Sequence, residues 1–200
     1  MMQETVPNAS PSVKTRSIPD VVRELLTLIG EDHQRLGLKK TPERFARAIS
    51  ELASGYSMDV EAIINGAIYP SEGKTGLILV RDINFYSLCE HHLLPFHGKA
   101  YVGYIPDQKI IGLSKIPKIV NVFARRLQLQ ERLTNQVAQT IAEELSPIGV
   151  GVIIKARHMC LEMRGAKASG SKMVTSAYLG KIKDCPVTRS EFLQLISSPP

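Results

Sequence analysis

The chain has 200 residues, is 44% hydrophobic and 22% charged, and carries 25 Lys and Arg against 19 Asp and Glu, a formal charge of +6. This describes one domain with room for a sizeable core, joined to at most a helical extension. No apolar run approaches the ~18 residues of a membrane span, the polar N-terminus lacks the apolar stretch of a signal peptide, and three widely spaced cysteines make no disulfide framework. The expected compartment is therefore the cytoplasm, where thiols stay reduced. The mild positive charge suits an anionic partner, either a phosphorylated small molecule or nucleic acid, and does not choose between them.

Residues 1–16 read as a flexible tail. Ser17 or Asp20 opens a helix through Val21, Val22, Leu25, Leu26 and Ile29, closed by Gly30. Thr41-Pro42-Glu43 starts a second helix with a cap, a proline at the first helical position and an acid in the first turn. Phe45, Ala48, Ile49 and Leu52 continue it up to Gly55, and Asp59 caps a short third helix ending at Ile64.

The pattern changes after Pro70. Gly76 to Leu88 reads as a strand, and Phe96 to Ile105 as another, with Pro106-Asp107-Gln108 as a hairpin-like turn into Ile110–Leu113. Ile116 to Leu127 and Gln130 to Leu145 have helical spacing. Val150 to Cys160 and Met173 to Leu179 are the remaining strands. Thr188-x-x-Glu191 is a capping box that opens a C-terminal helix. The order predicts an α+β fold, an antiparallel sheet with helices on one face.

The chemistry concentrates in two short stretches. Cys89-Glu90-His91-His92 and His158-Met159-Cys160 hold two of the three cysteines and three of the five histidines. Thiolate and imidazole are the ligands a borderline-soft ion such as zinc prefers. On an extended strand His158 and Cys160 would share one face. His91 and His92, being adjacent, do not easily bind the same ion. Two ligand sets compete. Cys89, His92, His158 and Cys160 would close a structural tetrahedron. Cys89, His92 and Cys160 alone would leave a coordination position for water, with His91 and His158 as acid–base groups. Spacing does not decide between them. His97 reads as a plain strand or loop histidine, and Cys185 as an ordinary thiol. No His-Glu-x-x-His, deaminase signature or glycine-rich phosphate loop is present.

Several motifs in one order resemble GTP cyclohydrolase I. They are Ser87-Leu88-Cys89-Glu90-His91-His92, Tyr104-Ile105-Pro106, Ile111–Ile116, Gln130–Thr134, His158-Met159-Cys160, Met163-Arg164-Gly165 and the Thr188–Leu193 end, and the likeness runs from about Ile18 to Ile196. The resemblance implies the tunnelling fold, in which subunit sheets join into an oligomeric barrel, here a homodecamer of two stacked pentamers. It divides the chain into the tail (1–16), an N-terminal helical segment (17–70) and a catalytic domain (71–200). It implies one zinc per subunit on Cys89, His92 and Cys160, and hydrolysis of GTP to formate and 7,8-dihydroneopterin triphosphate, the first step of pterin and tetrahydrofolate synthesis. His91 and His158 become the catalytic histidines, with Ser114 near the ribose. Glu131 anchors the purine, with Gln130 beside it as a further substrate-binding residue, and Arg44, Lys115, Lys118 and Arg164 receive the triphosphate. Family members often carry arginine at the position of Lys118, and lysine keeps the charge without the bidentate fork.

Two other readings compete. A different tunnelling-fold enzyme would bind zinc through three histidines, as the pterin synthases do, or use a nucleophilic cysteine without metal, as the nitrile reductase does. A zinc-stabilised nucleic-acid module would need the closed four-ligand site. The leading expectation includes neither a nucleic acid nor a membrane as partner.

Overall fold

The computed structural model describes residues 16–73 and 76–198, so the expected tail lies, apart from Arg16, outside the described residues. The chain divides into two compact units, one up to Ser50 and one from Glu51 onward.

In the first unit, α1 spans Ile18–Leu28 and α2 starts at Thr41 and runs to Leu52. The Asp20 carboxylate accepts the backbone N–H of Ser17 at 3.1 Å and its hydroxyl at 2.5 Å, half of a capping box. Gly30 closes α1 with φ +88°, a conformation that favours glycine. Arg23 bonds both Asp20 and Glu43, tying α1 to the start of α2.

The second unit begins with a 3₁₀ turn at Ser54–Ser57 and α3 at Val60–Ile64, which Asp59 caps by accepting the Glu61 N–H at 3.0 Å. A side chain at Gly55 would lie 2.1 Å from the Val122 carbonyl, so only glycine fits there. The strands and helices that follow are β1 (Ile68–Pro70), β2 (Ile78–Cys89), β3 (Pro95–Ile105), β4 (Lys109–Ile111), α4 (Lys115–Ala124), β5 (Leu127–Gln128), α5 (Gln130–Leu145), β6 (Gly149–His158), α6 (Met159–Glu162), β7 (Met173–Gly180), α7 (Lys181–Asp184) and α8 (Pro186–Ser197).

Among the described residues, one sheet has the order β5-β2-β3-β6-β7, antiparallel except where β5 runs parallel to β2. Val102, Val152 and Ile154 point from this sheet into a core with Ile119 and Val120 of α4 and Val137 and Ile141 of α5. All seven are essentially inaccessible to solvent. Each such side chain contributes ~1.5–3 kcal/mol by leaving water. This apolar layer is what holds the ends of β2 and β6 in place.

The structure departs from the sequence expectations at five points. After Pro106-Asp107-Gln108 the chain does not fold back on β3: β4 pairs with β1, and the Ile111 N–H donates to the Tyr104 hydroxyl at 3.2 Å. The first helix of the central pair stops at Ala124, and Leu127–Gln128 instead extends the sheet. The β6 strand ends at His158, and Cys160 belongs to the one-turn helix α6, so period-2 alternation does not govern the two residues. The last helix starts at Pro186 rather than at the Thr188 box, because proline at its first position has already fixed the helical φ. Helices also lie on both sheet faces: Phe192 of α8 packs on the side opposite α4 and α5, against Tyr101 and Ile153. Its ring lies over Gly103 and Gly151, where an added Cβ would meet it at 2.8–3.0 Å.

Candidate active site

The chain leaves β2 at Cys89 and curls tightly before entering β3. The Cys89 carbonyl accepts the Leu93 N–H at 2.8 Å, and the Cys89 N–H donates to the Leu94 carbonyl at 2.8 Å. Leu93 adopts φ +55° to complete this turn. The curl returns the His92 ring towards Cys89, with Nδ1 3.8 Å from Sγ. Cys160 arrives from α6, and the ligand atoms of Cys89, His92 and Cys160 all lie within 4.8 Å of one another.

These three residues fit a small tetrahedral ion. Bonds of about 2.3 Å to sulfur and 2.0–2.1 Å to nitrogen would place sulfur and nitrogen about 3.6 Å apart, close to the separation seen. Two sulfurs with one imidazole are the donors a borderline-soft divalent metal takes. Burial, followed by the hydrogen bond and charge of the Cys89 sulfur, pushes the Cys160 thiol above its ordinary pKa, while the Arg164 charge acts the other way. A divalent cation between the sulfurs would reverse that preference and favour thiolates.

His158 is not part of this group. Its Nε2 lies 2.8 Å from Gln130 Oε1, and its ring stacks on Phe96 with centroids 4.5 Å apart and planes 3° from parallel. Phe96 and His158 are directly paired across β3 and β6. Burial lowers the His158 pKa, and the negative charge of Glu131 partly offsets this. His91 is exposed and sits edge-on to His92, with centroids 6.1 Å apart.

Glu131 occupies the first turn of α5, exposed beside the buried Gln130. Arg164 follows α6, exposed, near enough to Cys160 to influence its thiol. Ser114, Lys115 and Lys118 cluster at the start of α4. Ser114 and Lys118 are exposed, whereas Lys115 Nζ donates to the Ile63 carbonyl at 2.9 Å. Arg44 is exposed on α2 in the first unit. His97 is a strand residue stacked on Tyr86, as expected of it.

Four contributors went unread in the sequence. Phe96 supplies the stacking face for His158. Arg132 holds Glu90, whose two carboxylate oxygens accept from its guanidinium at 2.5 and 3.0 Å, so the ligand turn is tied to α5. Thr175 and Thr134 back the Gln130 amide. Of these, only Phe96 left a signal, its alignment with His158 once the two strands are paired.

The model of one family, described as GTP cyclohydrolase I, matches residues 18–197. Among curated proteins, the chain is 59% identical to the GTP cyclohydrolase 1 of Leptospira biflexa over 88% of its own length and 96% of that protein. It is 52% identical to the enzyme of that name from a Synechococcus species, over 95% of this chain and 82% of the other. The Campylobacter jejuni protein is also 52% identical, over 92% and 96%. Among solved structures, an archaeosine synthase QueF-like chain aligns over 53% of this chain and 95% of its own, with a TM-score of 0.45 and 19% identity, too slight a likeness to carry an argument. The matched span includes every motif around the metal-ligating turn, and on that evidence the chain belongs to the GTP cyclohydrolase I family.

Proposed function

We propose that this chain hydrolyses GTP to formate and 7,8-dihydroneopterin triphosphate, the entry reaction of pterin and tetrahydrofolate synthesis, at a zinc centre of Cys89, His92 and Cys160. The observation that carries the reading is the three-donor group with His158 committed elsewhere, to Gln130. Three protein donors match a catalytic zinc, four a structural one. The bound ion supplies Lewis acidity that makes water nucleophilic near neutral pH.

Carbon 8 of guanine is a weak electrophile, and protonation at nitrogen 7 activates it. His91 and His158 deliver that proton and move protons again while the formamide is hydrolysed. The semi-buried His158 ring, flat on Phe96, is held in one orientation for this. Glu131 accepts from N1–H and the 2-amino group of guanine, which adenine cannot match. Ser114 assists the ribose rearrangement. Arg164, Lys115 and Lys118 hold the triphosphate, with Lys115 exchanging the Ile63 carbonyl for a phosphate oxygen.

The same reading takes residues 17–70 as a helical segment attached to a tunnelling-fold catalytic domain, 71–200, working as a decamer of two stacked pentamers in the cytoplasm. β5 and β7 are the edge strands through which neighbouring sheets would join. Val21, Leu25 and Leu28 lie on α1 with half or more of their surface exposed, an apolar face suited to another copy. Among the described residues no helix is long and apolar enough to cross a membrane. A stable, active monomer in sedimentation would contradict the assembly.

The activity is tested by incubating purified, zinc-loaded protein with GTP and assaying formate and a dihydroneopterin product. His158→Ala should keep one zinc per chain and lose ~10²–10⁴-fold in kcat. No turnover on any purine nucleoside triphosphate by zinc-loaded protein would end the reading.

A further inference from the structure

Gln130 is the residue whose surroundings ask for a role different from the one its family resemblance implies. Its side chain is buried, with 1% of the residue exposed, although it begins α5 beside the exposed Glu131. Every polar atom of its amide is engaged inside the protein. Nε2 donates towards the carbonyls of Ile154 at 3.0 Å and Met173 at 3.2 Å, and towards Thr175 Oγ1 at 3.1 Å. Oε1 faces His158 Nε2 at 2.8 Å.

The direction of each bond follows from the donors available. Backbone carbonyls only accept, so the atom facing Ile154 and Met173 must be the amide nitrogen. The threonines agree. The Thr134 hydroxyl donates to the Gln130 carbonyl at 2.7 Å, so the 2.6 Å contact between the two hydroxyls is a bond from Thr175 to Thr134. Thr175 has then used its proton and can only accept from Gln130. The amide cannot be flipped, because its oxygen would then face two carbonyl oxygens and a spent hydroxyl. With the nitrogen fixed, Oε1 must accept, and the proton between the residues sits on His158 Nε2.

We propose that Gln130 is a positioning residue that locks His158 in the Nε2–H tautomer, leaving Nδ1 as the atom that exchanges protons with substrate. The proposal rests on the reading of His158 as catalytic given above. Two features reinforce the lock. Phe96, fully buried, fixes the ring plane, and the amide bridges β6, through Ile154, to β7, through Met173 and Thr175, so the acceptor is anchored to the sheet. In the other tautomer the Nε2 lone pair would face the Oε1 lone pairs at 2.8 Å.

Long-range proton–nitrogen correlation spectra of the zinc-loaded protein labelled with 15N-histidine read the tautomer directly. The expected result for neutral His158 is a protonated Nε2 and a bare Nδ1; a protonated Nδ1 would overturn the proposal. Gln130→Met, similar in length but without an acceptor, should lower kcat by ~10²-fold, the lower end of what a positioned acid–base group contributes, with KM for GTP nearly unchanged. A raised KM with kcat intact would instead make Gln130 a substrate contact and sink the positioning role. If Gln130→Met does not fold, Thr175→Val removes one acceptor and leaves the two carbonyls to hold the amide, so it should keep the Nε2–H tautomer with at most a several-fold fall in kcat, while a protonated Nδ1 in neutral His158 would overturn the lock. Full turnover by His158→Ala would defeat the catalytic reading alone, since the tautomer is read without catalysis.

Discussion

Cys185, which the metal centre does not use, caps the N-terminus of α8. The Thr188 hydroxyl, followed by the N–H groups that open α8, favours the thiolate and holds the Cys185 pKa below that of an ordinary thiol. A lowered value means more thiolate at a given pH, so in zinc-loaded protein Cys185 should be the first thiol alkylated. Thr188→Val should move its alkylation-rate curve to higher pH; an unmoved curve would show that the hydroxyl does not hold the thiolate. The sequence placed Cys185 among ordinary thiols, because what distinguishes it is a cap set by Pro186. Cys89, His92 and Cys160 were legible for the opposite reason, since their chemistry lies in the residue types themselves. Gln130 was legible only as a substrate-binding residue beside Glu131, because its partners Ile154, Met173 and Thr175 are brought to it by the sheet.

At the level of elements, the turn between β2 and β3 depends on α5. Arg132 grips both oxygens of Glu90, which lies between the candidate ligands Cys89 and His92. Arg132→Ala should therefore weaken zinc binding by ~10-fold or more, as loss of a supporting partner commonly does, measured by chelator competition. Its melting temperature should hardly move, since exposed ion pairs contribute little to stability. The opposite sheet face makes a contrasting case. Phe192→Ala would empty the slot over Gly103 and Gly151 and should cost about 3–5 kcal/mol in denaturant unfolding, with zinc content unchanged. The helix carrying Phe192 was readable from its Thr188-x-x-Glu191 box, but not the face it covers, because Gly103 and Gly151 become a slot only when β3 and β6 pair.

For the whole molecule, Cys89, His92 and Cys160, the candidate metal ligands, sit at one end of a sheet whose core stretches well beyond them, through Val102, Val152, Ile119, Val137 and Ile141. Removing zinc with a chelator should abolish turnover yet leave a cooperative thermal transition, lowered by about 10 °C through loss of ligand linkage. Complete unfolding on chelation would instead mark the metal as the fold's main support. Helix starts, the α+β order and the Cys and His candidates for a metal, His158 among them, were set by the sequence itself, because capping, hydrophobic period and ligand chemistry act over a few residues. Long-range geometry decided the rest. β4 turned to β1 rather than to β3, Cys160 left the strand for α6, and His158 went to Gln130 instead of joining Cys89, His92 and Cys160. In each case the competing partners are distant in sequence, and only the packed sheet brings one within bonding distance while holding the other away.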